Sequence, residues 1–213
     1  MIISRKFKFI FFAVGKTGTH SIEHVLGKYD DKFILSAQEQ DFFLEHIPPY
    51  YLQKKMPKDD WNKYFKFAFV RNTWDMVISD LLWNGIIHKD TEYISPGDVD
   101  RLYENQKDYR RGINWSESRE QHSFLSNPDG ELMVDFVGRF EDLQEDFYRI
   151  CDHVGIPRET LPKLNAQKHK PYKDYYTPIT IEKVRQLWQA DIEKFAFEFT
   201  GSDNLSRIVE QKQ

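Results

Sequence analysis

The chain has 213 residues, with 30 lysines and arginines against 34 aspartates and glutamates, so its formal net charge is −4. This charge balance excludes a general nucleic-acid binder, and the single cysteine excludes an internal disulfide or a cysteine-based metal cluster. There is neither a long apolar run nor a leader-like N-terminus. We therefore expect a cytoplasmic protein without an integral membrane segment, folded as a single domain over residues 1–213.

The first predicted unit is a strand, a short polar loop and a helix. Its apolar run predicts a strand over 7–14, and the periodicity that follows predicts a helix over 19–28. The loop and helix start combine glycines, a lysine and hydroxyls: Gly15, Lys16, Thr17, Gly18, Thr19, His20 and Ser21. Because the first N–H groups of a helix lack partners and carry partial positive charge, this arrangement predicts an anion-binding cradle.

The spacing of this loop differs from that of a nucleoside-triphosphate loop. The triphosphate motif has a glycine five positions before its Gly-Lys pair, and Ile10 stands at that position here. We therefore expect the cradle to bind a single phosphate or a phosphosulfate.

A second strand, predicted over 65–70, leads directly into a second helix, predicted over 73–87. Arg71 lies at the carboxyl end of that strand, where ligands collect in open α/β sheets. Ser79 lies on the second turn of the helix, and helical side chains lean toward the N-terminus, so its hydroxyl can share a ligand with Arg71. Two such motifs predict a nucleotide that carries phosphate at both ends.

The remaining elements alternate between strand and helix patterns. We predict a short strand near 32–35, helical turns across 38–60 and 98–109, a helix near 117–126, a strand over 132–137 and helices over 141–154 and 180–194. This alternation favours an α/β fold, specifically a P-loop-like three-layer fold with a central parallel sheet flanked by helices.

Two motifs of the chain resemble those of the sulfotransferase superfamily, in its carbohydrate-sulfotransferase branch. They are Lys16-Thr17-Gly18-Thr19 with Ser21, and Arg71-Asn72-Thr73-Trp74-Asp75 with Ser79. Later segments fall in the order of that branch: 134–143, 161–165 with His169, Tyr172, Tyr175 and Tyr176, then Asp191 with 195–197. The chain departs from the family pattern at Gly15 and Thr73, where proline is usual, and at Met76, where arginine is common.

The resemblance implies a cofactor, 3′-phosphoadenosine 5′-phosphosulfate (PAPS), which leaves as adenosine 3′,5′-bisphosphate (PAP), and it implies no metal. In that family the first motif binds the 5′-phosphosulfate and the second binds the 3′-phosphate. The family segment around Lys168 covers the nucleotide, so Lys168 is also expected to bind it. The acceptor implied is a hydroxyl of a small molecule or glycan. We expect the polar stretch 88–121 to shape the site that binds this acceptor.

Sulfuryl transfer needs a cation at the leaving oxygen and a base for the acceptor proton. Lys16 is the expected cation, in agreement with its family role. We select His46 as the base because histidine titrates near neutral pH and the family often places a base between its two phosphate motifs; Glu45 remains the alternative.

Two other functions remain open at this point. One is a kinase or nucleotidase that uses Mg-ATP, since Gly15-Lys16-Thr17 is a truncated triphosphate cradle and 132–135 is an apolar strand that ends in aspartate. The other is a catalytically silent nucleotide-binding protein, which would use Arg71 and Ser79 without needing His46. The sequence leaves open the oligomeric state and the position that is sulfated.

Overall fold

A computed structural model of the chain describes residues 1–31, 47–111, 120–165, 169–199 and 207–208, with the backbone alone at 106–111 and 207–208. These residues form two compact units. The first contains the described residues of Met1–Val70, Leu125–Asn165 and Leu205–Gln213, and the second those of Arg71–Phe124 and Ala166–Asn204. The expectation of a single domain over 1–213 stays a prediction.

The first unit contains the sheet. Its strands lie in the order β1-β2-β3-β4-β5: β1 Ile2–Ser4, β2 Phe9–Phe12, β3 Phe65–Val70, β4 Phe136–Arg139 and β5 Arg207–Ile208. The three central strands β2, β3 and β4 are parallel, as predicted. The edge strands β1 and β5, which were not part of that prediction, are antiparallel to their neighbours.

Helices connect and flank these strands. Their bounds are α1 Thr19–Leu26, α2 Pro49–Lys55, α3 Lys58–Lys63, α4 Thr73–Trp83, α5 Pro96–Arg111, α6 Gln121–Leu125, α7 Leu143–Val154, α8 Pro178–Leu187 and α9 Gln189–Phe195. The helix predicted over 180–194 is divided at Trp188, whose backbone leaves the helical region. The strand predicted near 32–35 lies outside the described residues. No helix in the described ranges is long and apolar enough to cross a membrane.

One face of the sheet carries the main hydrophobic core. Side chains that alternate along β2, β3 and β4 pack with the apolar stripes of α1 and α7, because successive strand residues point to opposite faces. The principal members of this cluster are Phe9, Phe11, Phe67, Phe69, Phe136, Ile22, Leu26, Phe147 and Ile150. This burial fixes α1, and with it the loop that precedes α1, against the sheet.

The opposite face is covered within the same unit by α3. The Trp61 ring packs 6.3 Å from that of Phe12, measured between centroids. Lys66 is buried on this face, where its Nζ lies 2.9 Å from Asp135 Oδ2 and donates to the carbonyl of Tyr64 at 2.6 Å. Helices therefore flank both faces of the central sheet.

Candidate functional site

The loop between β2 and α1 has an unusual backbone. Lys16 has a φ of 66° and Gly18 has a φ of 79°, so both residues lie in the left-handed region. Gly18 is the N-cap of α1, and its carbonyl accepts from the N–H groups of Ser21 and Ile22. Because the Ser21 N–H already bonds to Gly18, the N–H groups of Thr19 and His20 are those without an acceptor inside α1, and they leave a partly positive end on the carboxyl side of β2.

Some side chains of this loop and of the first turn of α1 are buried, and others are partly or fully exposed. Thr17 is fully buried, and its hydroxyl donates to the carbonyl of Val14 at 2.8 Å. The Ser21 hydroxyl accepts from the Leu164 N–H at 3.4 Å, and Thr19 is also buried. Lys16 is half-buried, whereas His20 is exposed. Thr17 therefore closes the turn with its hydroxyl, and its N–H is the group it can offer to a ligand.

The cradle packs tightly against the connection from β4 to α7. A Cβ at Gly18 would lie 2.9 Å from Leu143 Cδ2 and 3.4 Å from Phe140 Cε2. That connection is itself anchored, because the N–H of Arg139 donates to Oδ2 of the fully buried Asp146 at 2.7 Å. The loop is thus held from the sheet below and from α7 beside it.

The second predicted motif opens the second unit. Arg71 directly follows β3 and is 8% exposed, and its Nε donates to Asp75 Oδ2 at 2.8 Å, one helical turn along α4. Asn72 caps α4 by accepting from the Trp74 N–H at 3.2 Å, and its amide donates to the Glu198 carbonyl at 2.8 Å. Ser79 is half-buried on the same helix.

Gln121, at the start of α6, pairs with the main chain of Arg71. Its Oε1 accepts from the Arg71 N–H and its Nε2 donates to the Arg71 carbonyl, both at 2.8 Å. Asp191 in α9 is fully buried and accepts from the N–H groups of Gln121 and His122, both at 2.7 Å. This network joins positions 71, 121 and 191, so no local sequence pattern could have revealed it.

His122 also bonds to Asp191 through its side chain, with Nδ1 3.1 Å from Oδ1. Because the carboxylate accepts, we assign the proton to Nδ1. This hydrogen bond raises the pKa of His122 above its usual value, and partial burial opposes the rise. His122 is thus a bonded side chain that helps to join α6 to α9.

The second unit also contains a cavity of about 470 Å³, lined by Lys89, Asp90, Thr91, His169 and Lys170. His169 Nδ1 lies 2.7 Å from the carbonyl of Lys170, which can only accept, so Nδ1 carries the proton. In the neutral ring the Nε2 atom then presents a lone pair. Lys170 Nζ lies 4.3 Å from the centroid of the Tyr175 ring. The cavity thus combines cationic, carboxylate and hydroxyl groups.

The positions selected from the sequence fall into three places. Lys16 through Ser21 form the loop and the first turn of α1 in the first unit, and Arg71 and Ser79 lie near the start of the second. His46, its alternative Glu45, and Lys168 lie outside the described residues, so their roles stay predictions. Among the described residues, no group of three or more histidine, cysteine, aspartate or glutamate side chains is arranged to hold a metal ion.

Comparison with known proteins supplies an independent result. The model of the sulfotransferase family matches residues 1–198. An uncharacterized protein of Archaeoglobus fulgidus is 22% identical over 131 residues, which are 60% of this chain and 98% of that protein. No solved structure matches the chain. The family match includes both the cradle and the Arg71 motif.

Proposed function

Because the chain belongs to the sulfotransferase family, we propose that it transfers a sulfuryl group from PAPS to an acceptor hydroxyl. The observation that carries this proposal is the cradle at the carboxyl end of β2, which lies inside the family match. Its shortened loop, with Ile10 in place of the first glycine of a triphosphate loop, favours a phosphosulfate over a triphosphate. The proposal includes a P-loop-like fold for the first unit.

The cradle has the donors that a 5′-phosphosulfate needs. Gly18 offers backbone without a side chain, and the first-turn N–H groups of Thr19 and His20 face the end of α1. Thr17 contributes its N–H, because its hydroxyl is bonded to Val14. Lys16 adds a full positive charge. We assign the whole loop, including Ser21 as a supporting residue, to this end of the cofactor.

The 3′-phosphate is assigned to Arg71, with Ser79 as a second donor, on the basis of the family resemblance and the position of Arg71 after β3. A guanidinium has five N–H donors and suits a phosphate dianion. The bond to Asp75 uses Nε and orients the planar group. We assign Lys168 to the nucleotide on the resemblance alone.

In sulfuryl transfer from PAPS, the acceptor oxygen forms a bond to sulfur while the bond between sulfur and the bridging oxygen of the 5′-phosphate breaks. The charge on that leaving oxygen needs a cation, and Lys16 is assigned this role. The acceptor proton passes to a base, for which His46 or Glu45 is proposed.

For the acceptor we propose a carbohydrate hydroxyl, with the cavity around Lys89 and His169 as its binding place in the second unit. His169 Nε2 accepts from a sugar hydroxyl in the neutral tautomer, and Lys89 and Thr91 add donors. The neighbouring Tyr93 is 56% exposed and presents a ring on which sugar C–H groups pack.

The test is calorimetric titration of the chain with PAP, and with ATP in the presence and absence of Mg²⁺. We expect metal-independent binding of PAP that exceeds binding of ATP. Lys16→Ala should weaken PAP binding, whereas Lys6→Ala, which removes an exposed lysine of the same unit, should leave it unchanged. Preference for Mg-ATP would overturn the proposal in favour of phosphoryl transfer.

A further inference from the structure

We infer that Gln121 and Asp191 are positioning residues for Arg71, and that they thereby set the preference of this chain for a nucleotide with a 3′-phosphate. The inference rests on the proposed function, since it takes Arg71 as the residue that binds that phosphate. Neither Gln121 nor Asp191 needs to touch the ligand. Each acts through the main chain of the residue that does.

The main chain of Arg71 is held just beyond the end of β3. β3 ends at Val70, whose partner Arg139 is the last residue of the β3–β4 register. Immediately beyond that point, the amide of Gln121 accepts from the Arg71 N–H and donates to its C=O, as a neighbouring strand would. Gln121 is 3% exposed, so these bonds are shielded from water. They fix the main chain from which the guanidinium extends.

Gln121 is in turn fixed by Asp191 of α9. It is the first residue of α6, which has only five residues and is too short to be stable on its own propensity. The buried carboxylate of Asp191 accepts from the main-chain N–H groups of Gln121 and His122, and His122 Nδ1 adds a third bond. Asp191 therefore ties the start of α6 to α9 and holds Gln121 in place.

The side chain of Arg71 is held as well as its main chain. Asp75 holds Nε from α4, while Gln121 holds the main chain from α6. With its main chain and its Nε both held, the long side chain has few rotamers left, whereas an arginine free to move loses rotamer entropy on binding. A guanidinium ordered in advance binds phosphate more tightly because that entropy has already been lost.

The experiment compares two nucleotides that differ only by the 3′-phosphate. Dissociation constants for PAP and for adenosine 5′-monophosphate (AMP) are measured by calorimetry on the wild-type chain and on Gln121→Leu. We expect the wild type to prefer PAP strongly. In Gln121→Leu the ratio of the two constants should fall about tenfold, the size expected for one or two lost hydrogen bonds. The dissociation constant for AMP itself should change by less than about twofold, because AMP lacks the 3′-phosphate that Arg71 binds.

The matched control is Gln144→Leu. The Gln144 amide also forms two hydrogen bonds to main chain: it accepts from the Leu161 N–H at 2.8 Å and donates to the Glu159 carbonyl at 3.1 Å. Gln144 lies in the first unit, whereas Arg71 lies in the second. Its loss should lower stability without changing the ratio of PAP to AMP affinity. Circular dichroism checks that each variant is folded.

A second variant, Asp191→Asn, tests the anchor and serves if Gln121→Leu does not fold. Asparagine preserves the shape of the side chain but has one acceptor oxygen, whereas the carboxylate has two. The ratio of the PAP and AMP constants should therefore fall by a smaller factor than in Gln121→Leu. An unchanged ratio in the folded variants, with a wild type that prefers PAP, would overturn the inference alone. A wild type that does not distinguish PAP from AMP would instead overturn the assignment of Arg71 to the 3′-phosphate.

Discussion

Gly18 is required at its position by two independent constraints. Its φ of 79° costs a residue with a Cβ about 1–2 kcal/mol. A Cβ added to this residue would also lie only 2.9 Å from Leu143 Cδ2. The cradle therefore uses glycine for the turn of the chain and for close packing against α7, in addition to any approach by a ligand.

Gly155 separates these two effects, because it has a φ of 74° with no atom within 4 Å of a built Cβ. We expect Gly155→Ala to lower the free energy of unfolding by about 1–2 kcal/mol from the backbone alone. Gly18→Ala should lose about 1 kcal/mol more, because Leu143 and Phe140 must shift. Urea denaturation measures both losses. Equal losses would mean that the neighbouring side chains move aside at no cost.

Among the elements of the sheet, β3 and β4 meet closely at Gly138 and Phe69. Gly138 pairs with Phe69 in the parallel register, and a Cβ at Gly138 would lie 2.5 Å from Cε1 and 2.7 Å from Cδ1 of that ring. Phe69 is fully buried in the core between the sheet and the helices α1 and α7. The glycine thus makes room for an aromatic ring of the adjacent strand.

Gly138→Ala should destabilise the chain by about 1–3 kcal/mol, because the ring has no solvent space into which to turn. The double variant Phe69→Leu with Gly138→Ala should lose less than the sum of the single losses, since the smaller side chain frees the space. Thermal denaturation of the four chains gives the coupling. Gly97→Ala, where the nearest atom would be 3.6 Å away, is the control for a new methyl group. Additive losses would contradict the contact.

Folding of the entire chain can be followed at its single cysteine, which lies in the hydrophobic core. Cys151 is fully buried with the aromatic residues of the main cluster. Burial raises the pKa of its thiol to about 11, which keeps it protonated and unreactive in the folded chain. We assign Cys151 a packing role.

In the native chain at mildly alkaline pH, Cys151 should react with a thiol reagent at a rate limited by unfolding, and in denaturing urea it should react at once. The folded state retains the proton that the unfolded thiol loses, since the pKa rises from 9.0 to about 11 on folding. This thiol therefore lowers stability progressively as the pH rises through that interval. Rapid labelling of the native protein would contradict the burial of this residue.

Much of the fold follows from local sequence patterns. The strand predicted over 65–70 coincides with β3, and the strand predicted over 7–14 contains β2, because aromatic and β-branched runs pack well on a pleated surface. The edge strands β1 and β5 were not predicted, since three and two residues carry too little periodicity. Their pairing depends on neighbours that are distant along the chain.

The same division applies to the candidate site. The local sequence was enough to predict the cradle, because Lys16 through Ser21 are consecutive and directly follow a strand. It also placed Arg71 at the end of a strand. The bonds through which Gln121 and Asp191 hold Arg71, by contrast, became apparent only in the folded structure. Hydrogen bonds within one turn follow from neighbouring residues, whereas bonds that span 50 and 70 residues exist only once the chain has folded.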